Sequence, residues 1–239
     1  MRIAIVSDIH GNQTAFEAVL ADLRQTSPDV VLHGGDLADT GSSPAEIVDR
    51  IRSLGWQGVV GNTDQMLTNP ETFDEFANQS PQLQSLWAVL REMAAATREA
   101  LGEERLAWLG SLPLIQLCAP IALVHASPGD PWRAPAQEAS DDELQSLYGP
   151  LGQPVVIYGH IHRPYIRSIS GMILANTGSV GLPYDGDRRA SYLLIEDSKP
   201  EIRRVEYDMS REIGALSRSG FPHADWVART LESGAPQMP

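Results

Sequence analysis

Seven residues of this 239-residue chain combine a metal-donor side chain with the same kind of position, just beyond a short apolar run. Asp8 and His10 follow residues 3–7, Asp36 follows 29–32 and a Gly34-Gly35 pair, and Asn62 follows 57–60 and Gly61. His125 follows residues 121–124, and His160 and His162 follow 155–158 and Gly159. Four of the six histidines are thus placed. One such residue is ordinarily a packed or solvated side chain, but five successive clusters drawn from one small set of donors are hard to explain as packing. Seven donors exceed the needs of one tetrahedral ion and suit two ions that share a carboxylate. The nitrogen-rich set favours Mn, Fe, Zn, Co or Ni over Mg or Ca, which prefer oxygen. Two dications bring four positive charges and Asp8 and Asp36 remove two, so the pocket would be positive. Such a pocket attracts a phosphate group, and two ions about 3.5–4 Å apart lower the pKa of a bridging water and clamp a phosphoryl oxygen.

The elements that must carry these residues follow from the apolar pattern. Runs with no polar alternation read as strands buried on both faces. In open α/β sheets, ligands gather at the carboxyl ends of such strands. Residues 1–64 read as three βα units, implying a mainly parallel arrangement with right-handed crossovers. Thr14 is the expected cap of the first helix, and Ser43-Pro44 opens the second. Residues 66–110 are rich in Leu, Ala, Glu, Arg and Gln, with helical segments expected over 82–90 and 91–109. This helical insertion reads equally as a cap over the site or as helices that complete the packing. The second half carries short strand-like runs at 114–117, 121–124, 155–158, 165–169, 172–174, 192–195 and 202–205. Turn residues between them signal hairpins. Residues 134–147 read as loop and helix, and 225–231 as a short helix. The expectation is an α/β fold, a two-sheet sandwich over residues 1–239 with one sheet more parallel and the other more antiparallel.

Composition narrows the class. No apolar run approaches a membrane span, and the N-terminal apolar segment is too short for a secretory signal. The single cysteine, Cys118, excludes an internal disulfide framework and favours a cytoplasmic protein. A net charge of −13 argues against general nucleic-acid or anionic-membrane binding. An anionic substrate would then need a locally positive site, which metal ions supply.

The order Asp8-Ile-His10, Gly35-Asp36, Gly61-Asn62, His125, Gly159-His160-Ile-His162 resembles the calcineurin-like metallophosphoesterase superfamily, over nearly the whole chain. Residues 176–190 bring it nearest to that family's small bacterial and archaeal phosphodiesterases. The resemblance implies a four-layer α/β/β/α sandwich. It places Asp8, His10 and His162 on a first metal, Asp36 as bridge, and Asn62, His125 and His160 on a second. It implies hydrolysis of a phosphodiester or phosphoanhydride, nucleotides and dinucleoside polyphosphates included, by a metal-bound hydroxide, with Asp36, Asn62 and His125 at the reacting centre. The alternatives are a phosphomonoesterase and a non-catalytic scaffold of the same fold. One position departs from the pattern: many relatives carry His after the Gly-Asn pair, and here it is Thr63, a poor acid at neutral pH. Leaving groups of low pKa are therefore expected. Candidate substrate contacts are Asn12, Asp64, Arg163 and Arg188, with Arg189, Arg133 and Trp132 behind them. Asn12 could equally form the turn, and Asp64 could support a ligand histidine or cap the next segment. His33 reads as a core or supporting residue.

Overall fold

The computed structural model describes residues 1–239. Its first sheet runs β10-β9-β1-β2-β3, with β1 (Arg2–Val6), β2 (Val30–His33), β3 (Gln57–Gly58), β9 (Ala190–Glu196) and β10 (Lys199–Val205). The second runs β4-β5-β6-β8-β7, with β4 (Ile115–Cys118), β5 (Ile121–Val124), β6 (Val155–Tyr158), β7 (Tyr165–Ile169) and β8 (Met172–Asn176). All seven strand runs expected in the second half form strands. The expected contrast between the sheets is not found: each combines two parallel with two antiparallel pairings. The cause is the β9–β10 hairpin, which leaves the strand-rich half of the chain and pairs with β1, Ile5 opposite Leu193.

Strand burial explains why these runs are continuously apolar. Ile3 and Ile5 of β1 face Ile121, Leu123, Val155 and Ile157 of the second sheet, forming the core between the sheets. The alternate residues Ala4 and Val6 point outward to Phe16, Val19, Ile47 and Ile51. On the other side, Ala122, Val124, Val156 and Tyr158 meet Leu144 and Tyr148. Both faces of each sheet are covered, so alternation has no polar partner to display.

Helices α1 (Gln13–Thr26), α2 (Pro44–Leu54), α3 (Asn62–Thr68), α4 (Pro70–Asn78) and α5 (Gln84–Gly110) cover the first sheet, and α6 (Asp141–Tyr148) covers the second. The helices of this stretch begin with α3 at Asn62, and α5 breaks at Gly102, where φ is 67° and ψ 172°. Phe73, Trp87, Leu101 and Leu109 join the outer core, so the insertion completes the packing there. Its Met93 also packs against Leu182, in the segment that holds a site histidine. Helix α1 is capped by Asn12, whose side chain accepts from Ala15 N, not by Thr14. Thr14 lies inside the helix and gives its hydroxyl to Glu212 at 2.7 Å. Glu212 belongs to α7 (Met209–Ser219), a helix the sequence reading did not foresee, which packs with α8 (Ala224–Ser233). No helix is long and apolar enough to cross a membrane.

Candidate metal centre

β1, β2 and β3 run parallel in one sheet and β5 and β6 in the other, so five carboxyl ends meet at one end of the sandwich. There, Asp8, His10, Asp36 and His162 each bring a donor atom to within 4.8 Å of the others. His10 Nε2 and His162 Nε2 stand 3.2 Å apart, and His162 Nε2 lies 3.2 Å from Asp8 Oδ1. Two nitrogens bound to one tetrahedral ion at about 2.0–2.1 Å are themselves about 3.3 Å apart. Asp36 Oδ2 lies 3.6 Å from His10 Nε2 and 3.5 Å from His125 Nε2, between two groups of donors. In the second group, Asn62 Oδ1 is 2.9 Å from His125 Nε2 and 2.8 Å from His160 Nδ1.

Local backbone geometry aims these side chains. Asp8, His10, Asp36, His160 and His162 all have left-handed φ, between 50° and 67°. That region is uncommon for residues with a Cβ and tends to mark functional sites. Glycines flank the turns for a steric reason. A Cβ on Gly61 would collide with the Asp36 carboxylate, and one on Gly159 with the Asp8 carboxylate and the Ser7 hydroxyl.

Hydrogen bonds fix the rings. His10 Nδ1 faces Asp39 O at 3.1 Å, His125 Nδ1 faces Gly34 O at 2.7 Å, and His162 Nδ1 faces Leu182 O at 2.5 Å. Each carbonyl can only accept, so each Nδ1–H donates and the Nε2 of the ring is directed at the centre. Asp8 accepts from the Ser7 hydroxyl and the His160 N–H, and Asp36 Oδ1 accepts from Thr63 N–H at 2.9 Å. The donor set, its tautomers and its spacing fit divalent transition metals.

The electrostatics follow from burial and mutual proximity. Burial alone would raise Asp8, but His162, His125 and His10 outweigh it and hold the carboxyl below its usual range. Burial, then His162, depress His10 to about 4; burial, then His125, depress His160 to about 4. His125 moves the other way: burial opposes the charge, but Asp36 and Asp8 prevail and raise it. Neutral imidazoles at His10 and His160 are the form that binds metal.

The remaining candidates lie as follows. Asp64 is fully buried and accepts from the N–H groups of Asp36, Leu37 and Gly61 at 2.8–3.0 Å. With both oxygens taken, it organises backbone beneath the site. Asn12 is likewise engaged, donating to Gly181 O while its side-chain oxygen caps α1. Arg163 is tied to Tyr184 O at 3.2 Å. Arg188 lines a surface groove with Tyr207 and Glu232, beside the C-terminal helices. Arg189 pairs with Asp187, and Arg133 with Asp130. Trp132 is engaged by Gln65 and packs 5.0 Å from Phe76. His33 is wholly buried with neither nitrogen bonded. Sequence reasoning passed over Asp39, which holds His10 through its carbonyl and whose carboxylate accepts from Thr97 at 2.8 Å. It also passed over Tyr184, stacked on His162 with centroids 4.3 Å apart. The spacing Asp36-Leu-Ala-Asp39 was a signal for the former; Thr97 had none, being distant in sequence.

Residues 1–199 match the model of the calcineurin-like phosphoesterase superfamily domain. The chain is 32% identical to the uncharacterized protein MJ0912 of Methanocaldococcus jannaschii, over 97% of this chain and 98% of the other. Among solved structures, a metallophosphoesterase from Sphaerobacter thermophilus superposes with TM-score 0.79 and 27% identity, covering 98% of this chain and 100% of that one. The hypothetical protein PH1004 of Pyrococcus horikoshii shares the fold, with TM-score 0.84 and 18% identity over 99% of both chains.

Proposed function

The chain belongs to the calcineurin-like phosphoesterase superfamily, and from that membership we propose a phosphoester hydrolase with two divalent transition-metal ions, acting on a phosphodiester or phosphoanhydride. Nucleotides and dinucleoside polyphosphates are the substrates this reading favours. The observation that carries it is the convergence of the His10 and His162 Nε2 atoms, 3.2 Å apart, upon Asp8 and Asp36. Asp8, His10 and His162 would hold one ion, Asn62, His125 and His160 the other, and Asp36 would serve both. When bound, two such ions lower the pKa of coordinated water and polarise a phosphoryl oxygen. The chain's own residues supply the rest. The backbone carbonyls of Asp39, Gly34 and Leu182 hold three rings in the tautomer with a free Nε2. Thr63 N–H fixes Asp36 Oδ1, which leaves Oδ2 to lie between His10 and His125.

Nothing at position 63 can protonate a departing alkoxide at neutral pH, since Thr63 offers only a hydroxyl. Esters with acidic leaving groups should therefore react fastest. The test is hydrolysis by the Mn²⁺-reconstituted protein across esters whose leaving groups differ in pKa. A rate that rises as leaving-group pKa falls supports the reading; rates indifferent to it remove the leaving-group argument, and no hydrolysis of any ester removes the enzyme.

A further inference from the structure

Tyr184 is the one aromatic hydroxyl bound into the candidate metal centre, and nothing in the catalytic reading uses it. Its N–H donates to His162 O at 3.1 Å and its carbonyl accepts from Arg163 Nε at 3.2 Å, so its backbone is fastened to the loop carrying His162. Its ring lies on the His162 imidazole, centroids 4.3 Å apart and planes 23° apart. Stacking leaves the ring little freedom. The phenol makes no hydrogen bond within the protein, unlike Tyr148, which donates to Ala126 O, and Tyr158 and Tyr165, which bond each other. Nor is its oxygen sealed in the interior, as the unpartnered hydroxyl of Tyr207 is. A half-buried phenol held rigidly beside metal-ligand candidates, and not committed to any protein acceptor, is free to donate to something that enters the centre.

We propose that Tyr184 is a substrate-binding residue whose hydroxyl donates a hydrogen bond to a phosphoryl oxygen of the ester. The inference rests on the phosphoesterase reading for its substrate class. A tetrahedral phosphate carries more oxygens than two cations take up, and a neutral donor suits one that remains. The role proposed is hydrogen-bond donation alone, with no proton transferred. A hydrogen bond to a charged oxygen is worth about a tenfold change in affinity, or somewhat more.

Two variants separate this role from a structural one. Tyr184→Phe keeps the ring on His162 and removes only the hydroxyl, whereas Tyr184→Leu also removes the stack. Calorimetric titration of the intact chain with Mn²⁺, and of the Mn²⁺-loaded chain with inorganic phosphate, reads both without turnover. The expected result is unchanged Mn²⁺ stoichiometry and affinity for Tyr184→Phe, with phosphate bound about tenfold more weakly. Turnover of bis(4-nitrophenyl) phosphate should fall by at least that factor. Tyr184→Leu should weaken Mn²⁺ binding as well. Equal phosphate affinity in the wild type and Tyr184→Phe, phosphate binding by neither, or loss of Mn²⁺ in Tyr184→Phe would each overturn the proposal. A wild type that binds phosphate yet hydrolyses no ester sinks the phosphoesterase reading alone, while the two phosphate affinities still decide the role of Tyr184.

Discussion

His10 and His162 meet through imidazole nitrogens 3.2 Å apart, whereas His125 and His160 meet through a shared amide oxygen, that of Asn62. The first pair belongs to strand ends from both sheets, is almost wholly buried, and has each Nδ1 given to a carbonyl. Its Nε2 atoms therefore converge as lone-pair donors on a common point. In the second group, His125 gives its Nδ1–H to Gly34 O and its Nε2 stands 2.9 Å from Asn62 Oδ1, and although burial opposes its charge, Asp36 and Asp8 raise its pKa. His160 is only half-buried. A cation in the first half would meet four converging donor atoms; one in the second would have to part Asn62 Oδ1 from His125 Nε2 and His160 Nδ1. The difference teaches that the two groups of donors need not be equal sites: the group whose histidines come from both sheets has both of them buried, whereas the other leaves His160 half-buried.

The largest effect should come from removing the group common to both halves. Asp36→Asn is expected to lower turnover on the order of a thousandfold, since the metals' charge stabilisation is worth several kcal/mol, and assays on a bis-aryl phosphodiester measure it. Retained turnover would show that the halves do not share Asp36. Next is Asp64→Ala, which leaves the buried N–H groups of Asp36, Leu37 and Gly61 without an acceptor. A loss of about 3–5 kcal/mol is expected, at roughly 1–3 kcal/mol per orphaned donor with partial relaxation. Urea unfolding of wild type and variant reads it directly, and a loss under about 1 kcal/mol would mean that these donors find other partners.

His160→Ala sharpens the comparison without touching the first half. It should lower affinity for one Mn²⁺ equivalent by about ten- to a hundredfold and spare the other, as elemental analysis after dialysis would show. Equal loss of both ions would deny that the halves are separate. The smallest effect concerns pH. Burial depresses the folded-state pKa of His33 to about 3 from 6.5, with neither nitrogen bonded. The unfolded chain then takes up a proton that the folded chain refuses, so stability falls as pH drops below 6.5 and continues to fall towards 3. Between pH 7 and pH 5 this one residue should remove about 1–2 kcal/mol. His33→Leu should flatten that part of the profile; an unchanged profile would assign the acid sensitivity to the histidines of the candidate centre instead.

Much of this was legible in the residues. Strands buried on both faces, such as residues 3–6 and 121–124, cannot alternate and so announce themselves as apolar runs, and the donor at each run's end marks the site. Less legible were features decided by distant contacts. The β9–β10 hairpin joins the first sheet because Leu193 and Ile195 complete the core between the sheets, a fact with no local signature. Asn12 and Thr14 are both good caps by type, and only the bond from Ala15 N to Asn12 separates them. Helix α7 did carry a signal, an Asp208 cap followed by Met209, Ile213 and Leu216 at helical spacing, but its buried Glu212 gains meaning only from Thr14 and Ser42. Asp64 reads as a solvated acid until two N–H groups from the loop after β2 and one from the cap of its own helix are seen to surround it.

The most direct test is anomalous scattering from crystals of the intact chain grown with Mn²⁺. Two peaks are expected about 3.5–4 Å apart, one among Asp8, His10 and His162 and one among Asn62, His125 and His160, with Asp36 between them. A map with no peak at these strand ends, or with Mn²⁺ bound only elsewhere, would contradict the account.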